Sequence, residues 1–267
     1  LGTQQNGLLI LDNRGNVIHK IDQNSGLHHN SINDLFLDKF NNLWAGLENG
    51  ICQVEIRTPF LVYNEKSGLR GSIINSIKHQ NKLYVGTTEG IFYREWDKPT
   101  GVNFKQIPNT EGYVGVAYIF QNTLLYSHHN GVLIIEDTTA KTLIGNEAAL
   151  AFSSLKRYPN LLLVAKLKGG LALLEKSGNA WKYKGDIKGL TRPCNSLVED
   201  DEGNIWFSDY VSGIYKMRLN TRHDSVLSLK LYDQKSGLPN YSRNSIVKFK
   251  NRLVYITRMG VYAYHKK

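Results

Sequence analysis

Apolar residues come along this chain in short runs that alternate loosely with polar ones. One well-marked stretch reads Ser31-Ile32-Asn33-Asp34-Leu35-Phe36-Leu37, then Asn42 to Leu47, Gly50 to Ile56 and Phe60 to Tyr63. Val, Ile, Tyr and Phe fill these runs, and nowhere does a 3.6-residue periodicity persist over ten or more residues, so strands are predicted and helices are not. Turn residues stand between the runs, as in Asp12-Asn13-Arg14-Gly15-Asn16, Glu48-Asn49-Gly50 and Asp201-Glu202-Gly203-Asn204.

The runs repeat. Asn42-Leu43-Trp44-Ala45-Gly46 precedes Gly50-Ile51, and Asn204-Ile205-Trp206-Phe207-Ser208 precedes Gly213-Ile214. Weaker copies place glycines at 7, 90, 131, 170 and 260, so that successive copies are 43, 40, 41, 39, 43 and 47 residues apart. Each glycine opens a third strand, where a turn with positive φ is expected. A second phrase, Asp22-Gln23-Asn24-Ser25-Gly26-Leu27, returns as Asn64-Glu65-Lys66-Ser67-Gly68-Leu69 and Asp233-Gln234-Lys235-Ser236-Gly237-Leu238. It carries the chain from an outer strand to the next inner one. A period of 40 to 50 residues with four short strands predicts propeller blades, since one such sheet cannot bury both faces alone.

The expected fold is all-β, a seven-bladed β-propeller over residues 1–267 as one domain. Complete blades fall at 28–68, 69–109, 110–146, 147–189 and 190–240, with incomplete ones at 1–27 and 241–267. Such ends suggest a piece of a longer polypeptide. Trp44 and Trp206 are expected to pack blade against blade, and Asp38, Asp200 and Asp201 to bond turn amides.

The pattern Ser-Gly-Leu, Asn-Ser-Ile, Asp, Asn-Leu-Trp-x-Gly and Gly-Ile is clearest from Ser25 to Ile51 and again from Gly189 to Gly213. It resembles the two-component-regulator propeller repeat of bacterial sensor proteins, above all the hybrid two-component systems of gut Bacteroidetes. The resemblance implies a periplasmic sensor region of an inner-membrane receptor, with a neighbouring propeller and an immunoglobulin-like domain in the same chain. It implies an oligosaccharide ligand, an anionic one included, and no enzymatic activity in this segment. A homodimer fits the same arrangement. Alternatives are a structural propeller without a small ligand, and a polysaccharide lyase or hydrolase on the same scaffold. No cofactor or metal is expected.

Composition changes the picture little. Hydrophobic residues make up 41% and charged residues 21% of the chain, ordinary for a globular protein. Cys52 and Cys194 sit four repeats apart and are expected as free thiols. The formal net charge of +10 is uneven: residues 210–267 hold 12 Lys and Arg against 2 acidic residues. In a domain outside the cytoplasm this excess points away from nucleic acid, and it is read as a solvated outer surface or one that meets an acidic neighbour, with an anionic glycan as the sharper alternative. Arg243 and Arg258 are its members in ligand-facing loops.

Loops between second and third strands, and between blades, ring one end of a propeller. The candidate ligand contacts there are Gln5, His28, His29, Arg70, Tyr113, His128, His129, Lys168, Arg192, Tyr210, Tyr241, Arg243 and Arg258. Tyrosine rings stack on sugar faces, while guanidinium groups bond hydroxyls or carboxylates. The His pairs are expected to point to opposite faces of their strands and so not to chelate one ion. The carboxylates Glu48, Glu89, Glu111 and Asp209 come from separate loops, without the shared phrase a catalytic pair would need.

Overall fold

The computed structural model describes residues 1–55, 63–97, 103–239 and 243–263, and it divides into two compact units, Leu1–Glu111 and Gly112–Lys267. The described residues form 24 strands in seven antiparallel sheets, with three short 3-10 turns and no α-helix.

In the first unit, β1 (Leu8–Leu11) pairs with β2 (Val17–Ile21), and a single bridge from Gly2 to Leu8 adds the chain's first residues. The second sheet is β3 (Ile32–Leu37), β4 (Leu43–Leu47) and β5 (Gly50–Val54). The run expected from Phe60 falls largely outside the described residues. The third sheet is β6 (Ile73–His79), β7 (Lys82–Thr87), β8 (Gly90–Glu95) and β9 (Lys105–Gln106). Leu8, Leu27, Ile32, Ala45, Leu47 and Val54 form the core between the first two sheets.

The second unit holds four sheets. They are β10 (Val114–Phe120) to β13 (Thr139–Gly145), through β11 (Thr123–His128) and β12 (Gly131–Glu136); and β14 (Ala149–Leu155) to β17 (Ala180–Asp186), through β15 (Tyr158–Lys166) and β16 (Leu171–Ser177). Then come β18 (Ser196–Glu199), β19 (Ile205–Asp209), β20 (Gly213–Leu219) and β21 (Val226–Tyr232), followed by β22 (Ser245–Phe249), β23 (Arg252–Thr257) and β24 (Gly260–Ala263). Their first strands β10, β14, β18 and β22 are neighbours in that order. Apolar clusters fill the space between successive sheets, such as Leu163, Leu173 and Ile187 with Phe207, Tyr215 and Met217. The sheets whose repeat phrase is weakest are thus fully formed, because spacing and alternation suffice to bury two faces.

The repeat phrases now have physical causes. The glycines at 7, 50, 90, 131, 170, 213 and 260 all have positive φ, as the turn before each third strand requires. At Gly131 a Cβ would lie 1.9 Å from the Ile144 carbonyl oxygen, so the neighbouring strand also forbids a side chain. Asp22, Asn64 and Asp233 each cap a 3-10 turn by accepting amide hydrogens, and Gly26, Gly68 and Gly237 close those turns in the left-handed region. The following Leu27, Leu69 and Leu238 are buried.

The Asp-x3-Asn-x-Trp spacing is a clamp across the first turn of a blade. Asp200 accepts from the amides of Glu202 and Asn204, from Asn204 Nδ2, and from Trp206 Nε1 at 2.8 Å. Asp38 does the same with Phe40, Asn42 and Trp44 Nε1, the last at 3.0 Å, and these bonds, led by the indole, hold its pKa down to about 2. Asp12 repeats the clamp on Arg14 and Asn16, with Ile18 in place of the indole. Asp201 departs from expectation. It bonds no turn amide, but accepts from Lys156 and Lys248, because it points outward beside the lysines of the two flanking sheets.

The two tryptophans differ as well. Trp206 is fully buried, packed on Tyr232 and Tyr255 at ring distances of 5.1 and 6.2 Å, with Ile214 and Ile246 beside it. Trp44 is half-buried, and on its face Phe36 and Ile51 are 63% and 66% exposed. Packing across the seam therefore holds for Trp206 and only in part for Trp44.

Candidate functional site

In the second unit the turns between second and third strands lie against the connections between sheets. Backbone bonds tie them into a row: His129 N–H to Tyr113 O, Asn146 N–H to Asn130 O, Leu167 N–H to Ala148 O, Gly170 N–H to Arg192 O, and Arg243 N–H to Tyr210 O. Seven predicted residues, Tyr113, His128, His129, Lys168, Arg192, Tyr210 and Arg243, are brought along this one row.

At its start, Tyr113 is exposed, and the His128 and His129 rings lie 4.0 Å apart. The expectation that they point to opposite faces fails here because His129 has left the strand and belongs to the turn. Gly112 makes room for it, since a Cβ there would come 2.4 Å from His129 Cε1. His128 is buried and accepts the Asn130 amide at 3.4 Å.

Next stands a cluster that sequence reasoning did not find. Lys166 Nζ lies 2.8 Å from Asp186 Oδ2 and 3.6 Å from Glu147 Oε2, and the Tyr183 hydroxyl donates to Asp186 Oδ1 at 2.6 Å. Burial pushes the Asp186 pKa up, but the bonds from Lys166 and Tyr183 outweigh it and leave it below the ordinary carboxylate value. Glu147 also accepts the Lys168 amide at 2.7 Å. Its members come from a loop, the end of β15 and the middle and end of β17, in no shared phrase, so only the fold assembles them.

The third group is the most developed. Arg192 Nη1 bonds Asp209 Oδ2 at 3.2 Å and Ser212 Oγ at 3.3 Å, and its guanidinium carbon sits 5.2 Å from the Tyr215 ring centre. Asp209 accepts the Val211 amide and the Ser212 hydroxyl as well. Burial raises its pKa, yet these donors together keep it ionised below the usual carboxylate value. Tyr210 is 61% exposed on the same turn, and Arg243 is joined to it through its own amide, with φ 59°. An exposed ring and a guanidinium with further donors to spare stand on a turn braced by the buried Asp209 carboxylate. Together they can stack on an apolar sugar face while donating to its hydroxyls.

The remaining candidates are dispersed. Arg258 is exposed in the turn between β23 and β24, and Tyr241 lies outside the described residues. In the first unit Gln5 and His28 are exposed. His29 Nδ1 accepts the Ser31 amide at 3.1 Å, 3.8 Å from Glu48 Oε2. Arg70 donates to Gln106 Oε1 at 2.5 Å, in a separate group. Both cysteines are free, and burial, with the charge of Asp209, pushes the Cys194 thiol up to about 12. Among the described residues no three His, Cys, Asp or Glu side chains gather as metal ligands, and no helix is long and apolar enough to cross a membrane.

No protein-family model and no curated protein matches the chain. Solved structures do. The extracellular domain of BT4673 from B. thetaiotaomicron, assigned to hybrid two-component systems, is similar with a TM-score of 0.58 at 13% identity, over 100% of this chain and 39% of that one. The extracellular domain of BT3049 from the same organism, assigned likewise, gives 0.50 at 18%, over 98% and 44%. The Cps50 (Swd1) β-propeller domain from Myceliophteria thermophila gives 0.50 at 7%, over 70% and 62%. This chain thus spans less than half the length of the two bacterial structures. The likeness is one of fold, an all-β chain of four-stranded antiparallel sheets with propeller neighbours. Those neighbours include the same kind of extracellular domain that the repeat phrases resemble.

Proposed function

We propose that the chain is a non-enzymatic, periplasmic sensor segment of a larger two-component receptor, and that it binds an oligosaccharide at the turn holding Arg192, Asp209, Tyr210 and Ser212. The four sheets of the second unit serve as blades, and the backbone bonds between their turns and connections set this turn in one row with Tyr113, His129, Lys168 and Arg243. A ligand acts by fitting one arrangement of the receptor's domains better than another, which shifts the equilibrium by that difference in affinity.

The observation that carries this reading is the Arg192–Asp209 pair beside exposed Tyr210. The ion pair and the hydroxyl of Ser212 hold polar groups ready, so little side-chain freedom is lost when a sugar arrives. Donors lower the pKa of Asp186 and Asp209, which disfavours either of them as a general acid at neutral pH.

Calorimetry with neutral, uronate and sulfated oligosaccharides tests it. Binding to one member of the panel is expected, weakened at least about ten-fold by Tyr210→Ala with an unchanged melting temperature. Arg192→Ala should weaken it likewise and also lower the melting temperature, because it strips the buried Asp209 of its cation. Salt-sensitive binding of an acidic member, lost in an Arg243→Ala/Arg258→Ala double variant, identifies an anionic glycan. Binding by none of the panel, or binding indifferent to both single substitutions, overturns the assignment.

A further inference from the structure

The outer strand of the sixth sheet has an unusual edge. β21, Val226–Tyr232, ends the order β18-β19-β20-β21 and is exposed along residues 227–231. An end strand offers a row of backbone donors and acceptors to any extended chain of matching character. The chain itself uses the start of this edge. Val226 N–H donates to Lys188 O, and Lys188 N–H to Asp224 O, in a parallel bridge.

Cross-strand pairing sorts the side chains by face. Ser228 lies opposite Arg218, and Lys230 opposite Lys216, on the face shared with Trp206. Leu229 lies opposite Met217, and Leu231 opposite Tyr215, on the other. Leu227, Leu229 and Leu231 remain 66%, 40% and 37% exposed. Lys216 is engaged by Asp200 and Glu202, whereas Arg218 and Lys230 have no acidic partner among the described residues. One side of the edge is therefore basic and the other apolar.

The outer strand β17 shows what a satisfied edge looks like. Its Lys184 pairs with Glu175 at 3.2 Å, its Tyr183 bonds Asp186, and its Trp181 packs into the core. β13 has no large exposed apolar side chain, and its Lys141 pairs with Glu136.

We infer that the outer edge of β21 docks an extended polypeptide segment in which acidic residues alternate with apolar ones. An added strand presents successive side chains to opposite faces. Its acidic set meets Lys230 and Arg218, and its apolar set covers Leu227, Leu229 and Leu231. Charge complementarity selects this occupant over a second copy, whose Lys230 and Arg218 would add to the same positive field.

The test uses the 267-residue chain and three peptides of equal length: alternating Glu and Leu, the same composition with its glutamates in one block, and alternating Lys and Leu. The first is expected to bind saturably and to slow exchange of the 227–231 amides. It should bind at least about ten-fold tighter than the other two. Lys230→Glu, at an exposed position, should reverse the preference towards the Lys peptide. Leu229→Lys should weaken both, and neither variant should lose its melting transition. Equal binding of the blocked peptide or unslowed amides refutes the inference. So does self-association in sedimentation that Leu229→Lys abolishes.

Discussion

Replacing Trp206 by alanine isolates what the repeated tryptophan does. Its side chain has no exposed surface, and it fills the space between Ile214, Leu238, Ile246, Tyr232 and Tyr255. Emptying a site of this kind costs about 3–5 kcal/mol, because the surrounding side chains close in only partly. The indole also supplies one of the donors that hold Asp200, whose carboxylate lies partly out of water. Trp206→Phe separates the two effects: it keeps most of the volume and removes the bond, and should cost about 1–2 kcal/mol. Trp44→Ala removes the same group from a half-covered face, so roughly half the burial is lost and the cost should be about 1.5–2.5 kcal/mol. Urea unfolding, followed by fluorescence and circular dichroism together, measures all three. A Trp206→Ala cost below about 1 kcal/mol, or a Trp44→Ala cost equal to it, would refute the reasoning.

Acid should weaken one clamp and one lysine-paired carboxylate in a defined window. Asp38 and Asp201 have folded pKa values lowered from 3.8 to about 2, so their contributions are complete above the unfolded value and fade as pH falls towards 2. The urea midpoint should drop across that interval, and Asp38→Asn should lower it at neutral pH while flattening the drop. Gly131→Ala should destabilise the chain by at least about 2 kcal/mol more than Gly178→Ala. At the first a Cβ strikes the Ile144 carbonyl, and at the second it meets open space, so equal costs in thermal melts would count against the turn argument. Cys194 should resist alkylation until the chain unfolds, since its thiol is buried and pushed up to about 12, while Cys52 reacts first. Mass spectrometry of a timed reaction reads the order.

The strand order was legible because each repeat must answer the same steric demands. A glycine is needed where φ is positive, an Asp or Asn where a turn amide lacks a partner, and a leucine where the next sheet begins. Those demands are local, so they appear as spacing. What decides the difference between Trp44 and Trp206 is not local. Leu238, Ile246 and Tyr255 cover Trp206, whereas Phe36 and Ile51 on the face of Trp44 stay exposed. Asp201 was misread for a similar reason, since its partners Lys156 and Lys248 are 45 and 47 residues away in sequence. Along the row of turns, position in the repeat identified Arg192, Tyr210 and Arg243. Glu147, Lys166, Tyr183 and Asp186 fall in a loop and along β15 and β17 at positions that no phrase marks.

The sixth sheet separates the two demands along a single strand. The Asp200 clamp closes the turn that enters β19, and Asp209, Tyr210 and Ser212 form the turn that leaves it. The strand from Ile205 to Ser208 lies between, roughly 13 Å of extended chain. The clamp must keep its residues because every donor in it satisfies a turn. The far turn needs only Gly213 and its Asx geometry, and Tyr210 projects into solvent with no packing to lose. On the proposed sensor reading, stability and recognition are therefore assigned to different residues of the same sheet. A change at Tyr210 is then expected to alter ligand binding while Asp200, Asn204 and Trp206 hold the sheet.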